Sequence, residues 1–324
     1  MPDILTLAGT NLLSPIILSF ILGLCAALAR SDLSVPEAAA KAVSLYLLFA
    51  IGFKGGASVA SHGIDGKLIA SVGAGLILSF GLPFVAFALL RLMTRLSRID
   101  AAAVAAHYGS ISIVTFVAAS SVLESRLIPA EGYMVAVAAA MEAPAILSAL
   151  WLVARGGTST REPGLWREIL LNGSIVLLIG AFAIGMVTGE KGLADISSFI
   201  VSPFKGVLCL FLLDMGLVAG RGLREQRGGL GFGAIAFAVV MPLIGSMAGL
   251  ALGLLVGLST GGVAMMMVLA ASASYIAVPA AMRVALPQAN PSIYLTLSLG
   301  VTFPFNLTLG IPIYIAIATA VTGA

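Results

Sequence analysis

The chain has 324 residues, of which 60% are hydrophobic and 10% charged, and its formal net charge is +3. A soluble domain carries about a quarter charged residues, so this composition excludes a water-soluble fold and describes an integral membrane protein. The basic residues flank apolar segments instead of forming patches, which removes nucleic acid from the expected partners.

Crossing a bilayer as a helix takes about 20 apolar residues. Ten segments approach that length: 11–29, 38–60, 67–91, 99–122, 132–154, 168–188, 197–220, 229–256, 260–282 and 292–320. The short alternating strands of an outer-membrane barrel are missing from the sequence. The expected fold is therefore all-α, a polytopic membrane protein of ten transmembrane helices. Met1-Pro2-Asp3 precedes the first segment without a basic leader, so no cleaved signal peptide is expected. Cys25 and Cys209 fall within spans and read as small hydrophobes, not as a disulfide or a metal site. Loops after odd-numbered spans, with their flanks, hold twelve basic residues, including Arg95, Arg155, Arg161, Arg167, Arg227 and Arg283, against five on the other side. Positive charge marks the cytoplasmic side, which puts both termini outside.

Sliding the sequence by 162 aligns "FILGL" (20–24) with "FAIGM" (182–186), and "LFAIGFKGGAS" (48–58) with "LFLLDMGLVAG" (210–220). The same shift lays "GSIS" (109–112) on "ASAS" (271–274), and a slip of three brings "SFGLPF" (79–84) onto "AVVMPL" (238–243). The chain therefore divides into two five-span units, 1–160 and 161–324. An odd number of spans per unit inserts the second copy upside down. That is the inverted repeat of many secondary transporters, in which the site lies where the repeats meet.

The fourth and ninth spans are both interrupted, one at Tyr108-Gly109-Ser110 and the other at Ala271-Ser272-Ala273-Ser274. Unwound backbone at this depth belongs where protein buries it or a polar cavity receives it. Two half-helix N-termini converging there make an anion site. The same small residues also serve close helix packing, which is the reading for Gly245, Gly249, Gly253 and Gly257. Ser110, Ser112, Ser272 and Ser274 supply hydroxyls that donate and accept, with Thr115 one turn on. No arginine lies inside a span, so a small oxyanion fits better than a phosphate or a large carboxylate.

Glu142 and Asp214 lie inside spans, where a carboxylate is a functional candidate by default. An anionic substrate beside them needs a cation. Glu142, Thr115, Thr302 and Asn306, with carbonyls freed near Pro144 and Pro304 in two broken fifth spans, offer the oxygen ligands of a hard cation. Sodium symport follows, or proton coupling if Glu142 cycles its proton. His107 is expected to cap the preceding half-helix, Lys54 and Lys205 to snorkel, and Asp100 to sit at a helix N-terminus. His62, Asp65, Glu190 and Asp195 read as loop residues.

"FKGG", "HYGSISIVTF", "LFLLDMGLVAG", "ASASYIAVPAAMR" and "ANPSIYL…SLGVTFPFN" resemble the sodium-dependent bicarbonate transporter family known from cyanobacteria, over nearly all of the chain. The resemblance implies a Na+/bicarbonate symporter of the bacterial cytoplasmic membrane, with core and gate domains and a homotrimeric assembly. It places bicarbonate between Gly109, Ser110, Ile111 and Ser112 on one side and Ser272, Ala273, Ser274 and Tyr275 on the other. The reading of the buried polar residues, separately from the resemblance, expects sodium at Thr115, Glu142, Asp214, Thr302 and Asn306. The family's PII-like regulatory partner is placed in doubt by a central loop running only from Arg155 to Arg167. A cation/proton antiporter or a sodium symporter of another small anion is the alternative. An enzyme is not expected, since no HExxH, GxSxG or paired-aspartate motif occurs.

Overall fold

In hydrocarbon the helix satisfies its own backbone polar groups, and every regular element among the described residues is helical. The computed structural model describes residues 13–63, 65–142, 144–154, 173–225, 231–275, 278–279, 281–282 and 286–323. The central loop Arg155 to Arg167, together with Arg227 and Arg283, lies outside the described residues.

The elements are α1 (Pro15–Leu28), α2 (Glu37–His62), α3 (Gly66–Met93), α4 (Arg98–Gly109), α5 (Ile113–Ser125), α6 (Met134–Ala140) and α7 (Pro144–Ala154). They continue with α8 (Gly173–Ile200), α9 (Phe204–Glu225), α10 (Phe232–Val256), α11 (Thr260–Ala271) and α12 (Pro291–Thr322). Among the described residues, seven segments are long and apolar enough to cross a membrane, with α4–α5 and α6–α7 each counting as one; α1 and α11 are shorter apolar helices. The chain is a multi-pass, all-helical membrane protein.

The structure moves the expected sixth and seventh spans. One helix runs from Gly173 to Ile200 with a kink at Gly189, whose φ of 61° is left-handed and breaks the axis. Glu190 and Asp195, expected in a loop, are exposed on the helical piece beyond that kink. The seventh span starts at Phe204. His62 ends α2, and Asp65 is a cap, its Oδ1 accepting from Leu68 N–H at 2.9 Å.

Helix α1 packs along α9, and α2 along α8. Both pairs meet through reciprocal glycines. A Cβ at Gly23 would strike the Leu213 carbonyl and one at Gly216 the Phe20 carbonyl; Gly56 faces the Phe182 carbonyl and Gly185 the Phe53 carbonyl. Such small-residue contacts let backbones approach closely where lipid supplies no hydrophobic drive. Gly185→Leu is therefore expected to cost about 1–3 kcal/mol of overpacking, read as a several-degree drop in the melting temperature in detergent. Gly180→Leu, at a position facing open space, should leave it in place.

The remaining helices surround the interrupted ones. Helix α3 packs on α4 and α7, and α10 packs on α11, α3 and α12. In the apolar window of Arg98–Ser125, 94% of residues are buried, against 39% for α3 and α10. The interrupted helix thus lies at the centre, shielded from lipid. Gly245, Gly249 and Gly253 pack on α11 as expected, but Gly257 does not. Its φ of 73° makes it the left-handed C-cap of α10.

Candidate functional site

Helices α4 and α11 are built alike. Each has 12 residues, starting at Arg98 and Thr260 and ending at Gly109 and Ala271. Each is capped by a serine: Ser97 Oγ accepts from Asp100 N–H at 3.0 Å, and Ser259 Oγ from Gly262 N–H at 3.1 Å. Each ends on a serine in extended conformation, Ser110 (φ −95°, ψ 162°) and Ser272 (φ −83°, ψ 164°). Starts and ends are both offset by 162 residues.

The first break falls two residues later than expected. Tyr108 and Gly109 are still helical, and the unwound stretch is Ser110 to Ser112. Gly109 abuts the Pro83 ring and the Ser79 carbonyl, where a Cβ would collide, so the last helical residue of α4 has to be a glycine. The second break begins at Ser272 and runs through Tyr275; residues 276 and 277 lie outside the described set.

The two breaks cross and bond to each other. Ser112 N–H donates to Ser272 Oγ at 2.9 Å, and Ser274 N–H donates to the His107 carbonyl at 2.7 Å. Ser112 then caps α5, its Oγ accepting from Thr115 N–H at 3.2 Å and from Thr115 Oγ1 at 2.9 Å. A helix start leaves four amides without intrahelical partners. Here Ser112 and Thr115 account for two, and the N–H groups of Ile113 and Val114 are left at the crossing. Ser274 Oγ likewise accepts from Val278 N–H at 3.4 Å.

Most of the polar residues expected in the site join this crossing. Glu142 Oε2 accepts from Ser110 Oγ at 2.6 Å, and both are buried. Thr302 Oγ1 donates to the Ala238 carbonyl at 2.6 Å and lies 2.7 Å from the Tyr108 hydroxyl. Asn306 Nδ2 donates to the Ala271 carbonyl at 2.8 Å, while its Oδ1 accepts from Tyr314 OH at 2.9 Å. Ile111, Ala273 and Tyr275 are buried beside them, and the Tyr275 hydroxyl has no hydrogen-bond partner among the described residues. Each of Glu142, Thr115, Thr302 and Asn306 is one bond from a break or from the helical turn leading into it. Asp214 is not. It is buried on α9 with Arg221 of the same helix as its electrostatic neighbour, and no bond of the network reaches it.

Two broken fifth spans were expected, and only the first is broken. Met141 and Glu142 form a turn between α6 and α7, held by Ser79 Oγ donating to the Met141 carbonyl at 2.5 Å. Helix α12 instead runs through Pro304, with π-helical turns at Thr296–Thr302 and Asn306–Gly310 on either side. Wider turns keep the backbone bonded past a proline that has no N–H.

Two other expectations change, and a third holds with an added bond. His107 caps no free end carbonyl: its Nδ1 bonds Ala103 O at 2.6 Å inside α4, and its ring stacks on Tyr294 at 4.4 Å between centroids. Lys54 pairs with Glu124 at 3.0 Å and lies over the Phe204 ring, tying α2 to α5 and α9 instead of snorkelling. Asp100 sits in the first turn of α4 as expected, and its Oδ1 also accepts from Asn290 N–H at 2.8 Å. No sequence signal singled out Ser79 on α3, Tyr314 beyond Asn306 on α12, or the hydroxyl of Tyr108, each of which supports a site residue.

A cavity of about 540 Å³ opens between α2, α5 and α6, with Phe116 and Val117, next to Thr115 in sequence, in its wall. The crossing itself offers hydroxyls, amides, carbonyls and one carboxylate. Among the described residues no three His, Cys, Asp or Glu side chains gather as a metal cluster. Oxygen donors of this kind suit a hard cation, and the amides and hydroxyls suit a small oxyanion.

Buried, interrupted helices bonded to each other inside a bundle of apolar spans define a multi-pass membrane protein with a polar interior site. The chain belongs to the Na+-dependent bicarbonate transporter superfamily, whose model matches residues 15–319 and so spans both breaks. That is a transporter family. Among curated proteins, none matches the chain.

Proposed function

We propose that the protein is a secondary active symporter that couples bicarbonate to sodium by alternating access, with the anion at the crossed breaks. The observation that carries this is the reciprocal bonding of Ser112 to Ser272 and of Ser274 to His107, which brings both unwound serine stretches to one point. Bicarbonate presents acceptor oxygens to the Ile113 and Val114 amides and one O–H to a serine oxygen. Gly109 to Ser112 and Ser272 to Tyr275 form its cradle. Sodium takes oxygens from Glu142, Thr115, Thr302 and Asn306 and offsets the anion's charge beside the Glu142 carboxylate. Asp214, which no bond of that network reaches among the described residues, lies on α9, one of the helices read as moving.

The two units, 1–160 and 161–324, are read as inverted repeats. Support comes from the matched 12-residue helices at an offset of 162 and from the exchange of partners between units, α1 with α9 and α8 with α2. On this reading α1, α2, α8 and α9 form the gate and the interrupted helices with their neighbours form the core. Ten spans, both termini outside the bacterial cytoplasmic membrane and a homotrimer complete the proposal. A PII-like regulator is left out, given the short central loop.

The test is uptake of radiolabelled bicarbonate into proteoliposomes under an inward sodium gradient, with choline replacing sodium in the control. Uptake should rise many-fold with the gradient. Uptake indifferent to sodium would contradict the coupling.

A further inference from the structure

A separate cavity of about 610 Å³ opens between α1, α5, α9 and α12. Arg126 and Lys205 line it together with Ser121 and Cys209, and no carboxylate is among its lining residues. Neither cation has an acidic partner among the described residues, where the one ion pair is Lys54–Glu124. Arg126, at the C-terminus of α5, is where a helix dipole favours a cation. Lys205 is not: it is an exposed side chain in the first turn of the 22-residue α9, and that turn holds no acidic residue to balance it. A lysine added to the positive end of a helix repels that end, and the conflict is resolved by an anion between them. The cavity also leads inward. Ala118 and Leu307 line it, and each is within one turn of a crossing residue, Thr115 and Asn306. Arg126, the C-cap of α5, lies eight positions beyond Ala118, about 12 Å at the rise of an α-helix.

We propose that this crevice is a second anion site, in which Arg126, Lys205 and the N-terminus of α9 hold a small oxyanion before it moves along α5 to the crossed breaks. The proposal rests on the transport reading for the identity of that anion. A phosphate of an anionic lipid offers the same chemistry, and the experiment separates the two sources.

Cys209 lines the crevice and serves as a native reporter, and Cys25→Ala leaves it as the single cysteine. Labelling rates are measured with a sulfonated and a trimethylammonium methanethiosulfonate, in phosphatidylcholine proteoliposomes with and without phosphatidylglycerol. With each rate divided by that reagent's rate with a free thiol in solution, the anionic reagent should react about tenfold faster than the cationic one, as expected for a cleft lined by one sign of charge. Arg126→Gln with Lys205→Gln should collapse that ratio towards one, and Arg126→Lys with Lys205→Arg should keep it. Bicarbonate should slow labelling in the parent and in the conservative pair, and not in the neutralised pair. In uptake, the neutralised pair should raise KM about fivefold, with the change carried in KM and not in Vmax. A ratio unchanged by neutralisation, or no protection by bicarbonate, would overturn the site. Protection by phosphatidylglycerol in place of bicarbonate would assign the crevice to lipid and overturn it as well. Labelling needs no transport, so bicarbonate protection without sodium-driven uptake would sink the transport reading and leave the site standing.

Discussion

Glu142→Gln should abolish the sodium dependence of bicarbonate uptake while leaving the protein folded. Glu142 is the one carboxylate in the bonded network, buried between α6 and α7 and accepting from Ser110 Oγ. Glutamine has nearly the same shape, and its amide oxygen can still accept that hydrogen bond, so the turn at Met141 and Glu142 keeps its support. What disappears is the negative charge that holds a desolvated cation. Removing one member of a buried, hydrogen-bonded charge pair costs about 2–5 kcal/mol, which corresponds to a loss of sodium affinity of at least about thirtyfold. Uptake measured against sodium concentration should flatten, with a melting temperature close to that of the parent. Full sodium dependence in the variant would assign Glu142 to structure alone.

Ser272→Ala is expected to have the next largest effect. Ser272 Oγ is the acceptor for Ser112 N–H, and it donates in turn to the Leu269 carbonyl at 2.9 Å. Alanine leaves the Ser112 amide buried without a partner, at a cost of about 1–3 kcal/mol, and it removes one of the two bonds that hold the breaks together. Uptake should fall about tenfold or more, since both the cradle and its position are altered. Ser120→Ala, further along α5, loses only a weak 4.0 Å contact to the Met265 sulfur and is the matched control. Normal uptake in Ser272→Ala would remove the hydroxyl from the mechanism.

Much of this site was legible in the sequence because its parts are local. Short Gly/Ala/Ser runs inside apolar spans recur at a shift of 162, "GSIS" (109–112) on "ASAS" (271–274), so the two interruptions show in the sequence alone. The serine caps Ser97 and Ser259 that start the two helices emerge from the structure. The first helix runs through the glycine that would normally stop it: Gly109 is still helical, and it is a glycine because a Cβ there would strike Pro83 and the Ser79 carbonyl. Partners across the bundle were not legible. Tyr108 meets Thr302 across 194 positions, and Ser79 meets Met141 across 62. In spans that are apolar on every side, hydropathy does not say which face a polar residue presents. That is why Asp214 and Glu142 looked equivalent, although only Glu142 reaches the crossing. Lys54 was misread for the same reason, because its partner Glu124 lies 70 positions away. Pro304 suggested a break because proline removes a backbone donor, and the π-helical turns that absorb it leave no mark in hydropathy.

The account stands on two unwound serine stretches acting as a single anion cradle. The most direct measurement is a cryo-electron microscopy map of the reconstituted protein in sodium and bicarbonate, compared with one in which both are replaced. The account predicts added density within hydrogen-bonding distance of the Ile113 and Val114 amides and of the second break, Ser272 to Tyr275. Anion density confined to another part of the protein, or residues 105–116 and 269–280 running as uninterrupted helices, would contradict it.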